Sequence, residues 1–381
     1  MKKGIYRLAA LCAVLLCIQG CAKAQEQDAV TEGSVSLAAT GQETEIGEVV
    51  REDYYYSLLS GEEQTVYEQV YHALTERQEV GVSTLSQETL DKAFTCVLND
   101  HPEIFYVSRY ICTSRSRNGE EVSLSFGGDY DYDEKECAER EAMLEAEAER
   151  ILSGIPAEAS DFDRIKYIFD TLVDETEYVR DANDNQNLCS ALLWHKSNCK
   201  GYAKATQYLL EKAGIPATLV RGTAGGENHV WNLVMADGAW YYLDTTWGDV
   251  DYQSGREDAQ VDAEVMEINY DYFMISSDRL YTTHTPDKLV PLPDCIATED
   301  NYYVHEGLYL TGLDTQVLSE IFEKAYERGD TAVQFQCAND AVFEQISVYL
   351  LEEQHIFDFV DALEAVPYVD NPEMNTFCFW L

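Results

Sequence analysis

A cysteine, a histidine and an aspartate follow one another in the middle of the chain, each in a context that suits acyl-transfer chemistry. Cys199 lies in the run Ser-Asn-Cys-Lys-Gly-Tyr-Ala, His229 begins the run His-Val-Trp-Asn, and Asp244 lies in Trp-Tyr-Tyr-Leu-Asp-Thr-Thr-Trp. A thiolate attacks acyl carbons when a nearby imidazole accepts its proton and a carboxylate orients that imidazole. The order and context of these residues are typical of an activated thiolate nucleophile.

The segment that begins at Cys199 is predicted to be a helix. Apolar residues recur at helical spacing through this segment, at Tyr202, Ala205, Leu209 and Ala213. Gly214 and Pro216 then act as stop signals. Cys199 is therefore expected at a helix N-terminus, capped by Ser197 or Asn198, where free N–H groups and the helix dipole favour a thiolate.

The other two residues are predicted to lie on a β-hairpin. Strands are expected at residues 215–222, 229–235 and 240–244, with Asp237-Gly238 as the turn between the last two. If the hairpin loop is Asp237-Gly238, or the four residues 236–239, the numbers of facing residues sum to 475, so His229 would face Thr246. Asp244 would then lie diagonally on the same face, whereas an odd loop would separate it from His229.

These three segments resemble the transglutaminase-like superfamily, the papain-related group that contains transglutaminases and many bacterial cysteine-peptidase-like proteins. The similarity rests on Cys-Lys-Gly-Tyr-Ala at 199–203, His-Val-Trp-Asn at 229–232 and Asp-Thr-Thr-Trp at 244–247, and it extends over roughly residues 160–290. It implies an α+β fold in which a nucleophile helix packs on an antiparallel sheet, with flanking α+β regions. It also implies Cys199 as nucleophile, His229 as general base and acid, and Asp244 as the residue that orients the imidazole.

Two features differ from the animal cross-linking enzymes that this family contains. Lys200 follows the nucleophile where those enzymes resemble one another in a Trp, and no acidic loop has the spacing of calcium ligands. Calcium-activated protein cross-linking is therefore not expected, and we predict hydrolysis of amide bonds by a peptidase or amidase. A protein-glutamine amine transferase and a binding or scaffold module without turnover are the alternatives.

Further residues are candidates for the substrate cleft or for competing roles. The expected cleft residues are Trp231, Asn232, Trp247 and Gln186. The Cys199 N–H is the first candidate oxyanion donor. A side chain among Asn183, Asn185, Gln186 and Asn187 is the second, although this stretch reads equally well as a polar loop. His195 is interpreted as an exposed residue before the helix, and a zinc site from Cys189, His195, Cys199 and His229 lacks a close cysteine pair. No metal or cofactor is expected.

The N-terminus has the features of an export signal. Lys2, Lys3 and Arg7 precede an apolar stretch from Leu8 to Ile18, which is too short to span a bilayer. The following Ile-Gln-Gly-Cys resembles the lipobox of bacterial lipoproteins, with Cys21 as the lipidated residue. We therefore expect an extracytoplasmic protein that is anchored to the cell membrane by a lipid on Cys21. The alternative is cleavage after Ala22-Lys23-Ala24, which would release a secreted protein.

Composition limits the partners of this 381-residue chain. Its 70 acidic and 26 basic residues give a net charge of −44, which argues against binding nucleic acid or anionic lipid through the protein surface. Peptides or proteins are the expected substrates, with cell-wall peptides among them. Of the 11 cysteines, two lie in the predicted signal peptide, and Cys21 and Cys199 have the roles given above. The seven that are left are an odd number, so no disulfide framework follows from the sequence.

Five segments are predicted from changes in composition and pattern. A signal peptide (1–20) and a flexible tether (21–50) precede an N-terminal α+β region (51–155). The transglutaminase-like core is expected at 156–295, and a small α+β module, with one final strand, at 300–381.

Overall fold

The computed structural model of the chain describes residues 4–7, 53–118, 120–249, 268–361 and 365–381. The predicted lipid site, Cys21, and the predicted tether lie outside the described residues. None of the helices in these ranges is both long enough and apolar enough to cross a bilayer.

A short strand and a first α+β region come before the core. In chain order the elements are β1 (Gly4–Arg7), α1 (Tyr54–Leu58), α2 (Gly61–Thr75), β2 (Val80–Val82), α3 (Gln87–Asp100), β3 (Val107–Arg117), β4 (Glu120–Tyr130) and α4 (Glu134–Leu152). Strands β2, β4 and β3 form an antiparallel sheet in that order. Capping boxes begin two of the helices, Ser60 with Glu63 at α2 and Asp133 with Glu136 at α4, because each pair satisfies N–H groups that the first turn leaves free.

The central region contains the segments singled out from the sequence. Its elements are α5 (Asp161–Glu175), β5 (Glu177–Tyr178), α6 (Cys189–Leu192), β6 (Lys196–Ser197), α7 (Cys199–Lys212), β7 (Ala217–Ala224), β8 (Glu227–Ala236), β9 (Ala239–Leu243), α8 (Thr245–Gly248), α9 (Ser277–Leu280) and β10 (His284–Pro286). Strands β10, β7, β8 and β9 form a four-stranded sheet in that order, and each neighbouring pair is antiparallel.

The two faces of this sheet have separate apolar cores. Val234 and Leu243 on one face belong to the same buried cluster as Ala205 and Leu209 of α7. Trp231, Leu233 and Tyr242 on the other face belong to a second cluster. Helix α7 therefore packs on one side of the sheet, and the predicted fold class, α+β with a nucleophile helix on an antiparallel sheet, is confirmed.

A C-terminal α+β module follows. Its elements are α10 (Tyr302–His305), β11 (Tyr309–Leu310), α11 (Thr315–Arg328), β12 (Ala332–Cys337), α12 (Asp340–Ser347), a π-helical turn (Val348–Glu352), a 3₁₀ turn (His355–Asp358), β13 (Ala365–Asn371) and β14 (Thr376–Trp380). The sheet order is β1-β13-β14-β12-β11, with β1 parallel to β13. Strand β1 lies within the predicted signal peptide (1–20), so a mature chain that begins at Cys21 would keep only the other four strands of this sheet. The single final strand expected from the sequence is in fact the hairpin of β13 and β14.

Candidate active site

Cys199 is the first residue of α7, and its position is fixed by the groups around this helix start. The Asn198 side chain caps the helix by accepting the Lys200 N–H at 3.0 Å. A Cβ added to Gly201 would lie 2.0 Å from Ser197 Oγ and 2.3 Å from Ser190 Oγ, so only glycine lets the first turn pack this closely. The Cys199 side chain remains partly exposed, which a nucleophile that meets a substrate would require.

The hairpin of β8 and β9 has the predicted register. Asn232 pairs with Leu243 and Ala236 pairs with Ala239, so the numbers of facing residues sum to 475 as predicted. The turn residues Asp237 and Gly238 both have positive φ, 47° and 81°, which is the requirement of a two-residue type I′ turn. His229 and Asp244 consequently lie on the same face of the sheet.

His229 lies between the aspartate and the cysteine. Its Nε2 is 2.7 Å from Asp244 Oδ2, and its ring also hydrogen-bonds to Cys199. Because Nε2 is used by Asp244, Nδ1 is the ring nitrogen that is left for the thiol. Asp244 is 1% exposed, and its second oxygen, Oδ1, accepts the Trp247 N–H at 3.2 Å as the cap of α8. The structure thus joins the three residues that the sequence proposed.

Burial and charge have opposite effects on the pKa values of His229 and Asp244. Burial alone would lower the pKa of His229, but the Asp244 carboxylate and the contact with Cys199 outweigh it and raise this pKa to about 10. Burial likewise disfavours the ionised form of Asp244, yet the charge and hydrogen bond of His229, together with the hydrogen bond from His284, hold its pKa well below the usual range. At neutral pH the pair is therefore an imidazolium next to a carboxylate, and the Cys199 side chain is in contact with that imidazolium.

A second histidine, His284, was not predicted as part of the site. It is the first residue of β10, and its Nε2 lies 3.1 Å from the same oxygen, Asp244 Oδ2. Forty positions separate it from Asp244 in the chain, and no local motif marks it. The pairing of β10 with β7 brings it to the site.

The expected cleft residues are found in different environments. Trp247 is partly exposed, and its ring centroid is 5.9 Å from that of His229, as suits a cleft wall. Gln186 is exposed and accepts a hydrogen bond from Lys200 Nζ at 3.4 Å. Trp231 is 0% exposed and stacks on His229 with centroids 6.0 Å apart, so it supports the imidazole from within.

Asn232 does not line a cleft, contrary to our expectation. It is 0% exposed, and its Nδ2 donates to the Ala203 carbonyl at 2.9 Å. Alternate residues of a strand face opposite sides, so Asn232 lies on the face opposite to His229. Its role is to attach β8 to α7.

His229, Asp244 and His284 also form a group whose ligand atoms lie within 4.8 Å of one another, close enough to consider a metal ion. Both imidazole Nε2 atoms are within hydrogen-bond distance of one carboxylate oxygen, and the other nitrogen of His229 is used by Cys199. We therefore interpret the group as a hydrogen-bonded chain. Among the described residues, the set Cys189, His195, Cys199 and His229 does not form a cluster of this kind, and His195 is exposed.

A family profile matches the part of the chain that contains the candidate site. Residues 148–245, which contain Cys199, His229 and Asp244, match the profile of the transglutaminase-like superfamily. This part of the chain is therefore similar to that superfamily, as the motifs indicated.

The curated relatives and solved structures are distant. The mouse kyphoscoliosis peptidase is 24% identical over 198 residues, and its human counterpart is 26% identical over 188 residues. These matches cover 46% and 43% of this chain but 29% and 28% of the relatives, so the chain spans less than a third of their length. A solved structure described as a TGase is 16% identical and covers 40% of this chain and 47% of that one, with a TM-score of 0.28.

Proposed function

We propose that the chain is a cysteine-dependent enzyme that hydrolyses amide bonds, with Cys199 as nucleophile, His229 as general base and acid, and Asp244 as the orienting carboxylate. The observation that carries this proposal is the arrangement of His229, which hydrogen-bonds to Cys199 on one side and to Asp244, at 2.7 Å, on the other. Nucleophile, base and orienting group in that order define a thiol acyl-transfer site.

The reaction has two balanced steps. The Cys199 sulfur attacks the carbonyl carbon of the amide, the C–N bond breaks, and the proton held on His229 passes to the leaving amine. A water molecule then attacks the thioester carbon, His229 accepts a proton from this water, and the C–S bond breaks to release the acid. The thiolate and the protonated imidazole are regenerated at the end.

The start of α7 supplies the remaining requirement, stabilisation of the oxyanion. The cap residue Asn198 takes the N–H of Lys200, the second residue of the helix. The N–H of Cys199 itself is one group at the helix start that can donate to a developing oxyanion, and the positive end of the helix dipole lies at the same place.

Hydrolysis is favoured over amine transfer by two features. The two curated relatives reported above are both named peptidases. Lys200, a cation, follows the nucleophile, and a cation at this position repels the protonated amines that a transferase would recruit. Peptides and proteins, including cell-wall peptides, are the proposed substrates, and the proposed location is outside the cytoplasm with a lipid on Cys21.

The test measures both fates of an acyl-enzyme in one assay. The purified protein is incubated with a peptide library and with β-casein in the presence of a fluorescent primary amine, and new peptide ends are mapped by mass spectrometry. We expect the wild type to produce new peptide ends or free acid, with negligible incorporation of the amine. Cys199→Ala should produce neither new peptide ends nor free acid. The matched control is Cys112→Ala, which removes another partly exposed cysteine and should keep full activity.

Other outcomes would change the proposal in specific ways. Amine incorporation that depends on Cys199 and exceeds hydrolysis would make the protein a transferase. If the wild type binds a peptide tightly without turnover, and Cys199→Ala binds it equally tightly, the protein is instead a binding module that keeps the fold.

A further inference from the structure

Asp244 accepts hydrogen bonds from two histidines through a single oxygen. Its Oδ2 lies 2.7 Å from His229 Nε2 and 3.1 Å from His284 Nε2. An ionised carboxylate has no proton to donate, so each imidazole must present an N–H to this oxygen. His284 therefore carries its proton on Nε2.

The other side of the His284 ring identifies its tautomer. Nδ1 is 2.8 Å from the Thr283 hydroxyl, and Tyr272 OH donates to that hydroxyl oxygen at 3.2 Å. The Thr283 proton is then free for His284 Nδ1, which is closer than the alternative acceptor, the Leu280 carbonyl, at 3.4 Å. With Nε2 as donor and Nδ1 as acceptor, the imidazole is neutral.

The surroundings of His284 also favour a neutral ring. It is 1% exposed, and three aromatic rings pack around it: Trp231 at 4.9 Å, Trp247 at 4.8 Å and Tyr272 at 5.3 Å between centroids. Burial lowers the pKa of His284 although its hydrogen bond to Asp244 acts in the opposite direction. The two histidines on one carboxylate thus differ in charge, His229 being cationic and His284 neutral.

A glycine in the neighbouring strand lets His284 reach this place. Gly222 of β7 pairs with Pro286 of β10 on one side and with His229 of β8 on the other. A Cβ at Gly222 would lie 2.1 Å from the Thr285 carbonyl oxygen and 2.8 Å from the Trp231 ring. The close approach of β10 therefore depends on this glycine.

We propose that His284 is a positioning residue, a neutral imidazole that donates from Nε2 to Asp244 and holds this carboxylate in the orientation that His229 requires. The inference rests on the proposed function, because it assigns a fourth member to the same site. Without His284, Oδ2 would lose one of its two donors, and Asp244 would turn more freely about its side-chain bonds.

The experiment uses the reactivity of Cys199 itself, so it needs no substrate. The rate constant for alkylation by iodoacetamide at pH 7 is measured by mass spectrometry for the wild type, His284→Leu, His284→Gln and Thr283→Val. We expect His284→Leu to lower the Cys199 rate about tenfold. His284→Gln, whose amide can still donate to Asp244, should stay close to the wild type, and Thr283→Val should show a smaller loss. His72→Leu, an exposed histidine of α2, is the matched control and should change nothing.

A spectroscopic signature tests the tautomer directly. In protein labelled with ¹⁵N-histidine, the signals absent from His284→Gln should show a protonated Nε2 and an unprotonated Nδ1 at neutral pH. Protonation of both nitrogens would overturn the proposal. So would an unchanged Cys199 rate in His284→Leu with an unchanged Tm, or equal losses in the Leu and Gln variants.

The failure of the proposed function gives a different result. If wild-type Cys199 is alkylated no faster than Cys112, the nucleophile assignment fails, and the role of His284 fails with it. A fast wild-type Cys199 combined with an unaffected His284→Leu variant removes only the role of His284. If His284→Leu does not fold, the Gln and Val variants and the ¹⁵N signals still decide the question.

Discussion

Met374 of the C-terminal module and Trp231 of the central four-stranded sheet lie in one buried apolar cluster. Met374 is in the turn between β13 and β14 and is 0% exposed, as is Trp231, which stacks on His229. Asp271, which is buried, reinforces the junction by accepting hydrogen bonds from Asn371 at 2.8 Å and Thr376 at 3.1 Å. The C-terminal hairpin therefore supports the sheet behind the proposed active site.

We predict that Met374→Ala destabilises the protein by about 2–5 kcal/mol, because it removes buried methylene groups and leaves a cavity in the apolar cluster that contains Trp231. Urea unfolding of the two proteins gives the difference in free energy. The matched control is Met143→Ala in α4, where the methionine is 44% exposed and the expected change is small. Equal effects of the two substitutions would show that the hairpin does not contribute to the core of the catalytic region.

We predict that Cys199 is the first thiol to react with iodoacetamide. The structure describes eight cysteines, all without a disulfide partner, and Cys199 is a partly exposed one beside an imidazolium. Burial raises the pKa of the other seven, to about 11 for Cys189 and to about 12 for Cys96, for example. Peptide mapping after brief labelling measures the order. Faster labelling of Cys96 or Cys189 would contradict the assignment of the nucleophile.

The His229–Asp244 pair should make stability depend on pH in a defined direction. The pKa of His229 is raised from an unfolded value of about 6.5 to about 10, so its contribution is complete below pH 6.5 and is lost as pH rises towards 10. The lowered pKa of Asp244 has the opposite consequence, since its contribution is present above about pH 4 and is lost in stronger acid.

We therefore predict that the free energy of unfolding falls more between pH 7 and pH 10 in the wild type than in His229→Gln. Urea unfolding at several pH values measures both slopes. Cysteines and tyrosines begin to ionise towards pH 10 in the unfolded chain, but they are common to the two proteins and cancel in the difference. Parallel slopes would mean that His229 gains no proton affinity on folding.

Local chemistry explains why much of the site could be predicted. A two-residue turn needs positive φ at both positions, which Asp-Gly supplies, and strand alternation then places His229 and Asp244 on one face. The start of α7 at Cys199 could also be predicted from neighbouring residues, because the cap and the stop signals lie next to the helix. The same alternation would have removed Asn232 from the cleft, since it is three positions from His229. Similarly, Asn371-Pro372 is a turn signal that separates the last two strands.

The part of the site that the sequence did not predict depends on contacts between residues that are far apart in the chain. His284 reaches Asp244 only because β10 adds to the edge of the sheet next to β7, and Gly222 permits that approach. Neither the spacing nor the composition of residues 282–286 encodes this pairing. The entry of Met374 into the cluster that contains Trp231 is of the same kind, because an isolated apolar residue in a turn does not show which core it enters.

The last prediction concerns Cys21 and the location of the protein. A basic start, an apolar stretch from Leu8 to Ile18 and the Ile-Gln-Gly-Cys sequence lead us to expect diacylglyceryl modification of Cys21 and membrane association. Metabolic labelling with a radioactive fatty acid, followed by fractionation, measures both properties. Cys21→Ser should lose the label and leave the membrane fraction, whereas Cys17→Ser, within the apolar stretch, should keep both. An unmodified mature N-terminus at Gln25 in the wild type would instead establish a secreted protein released from the membrane.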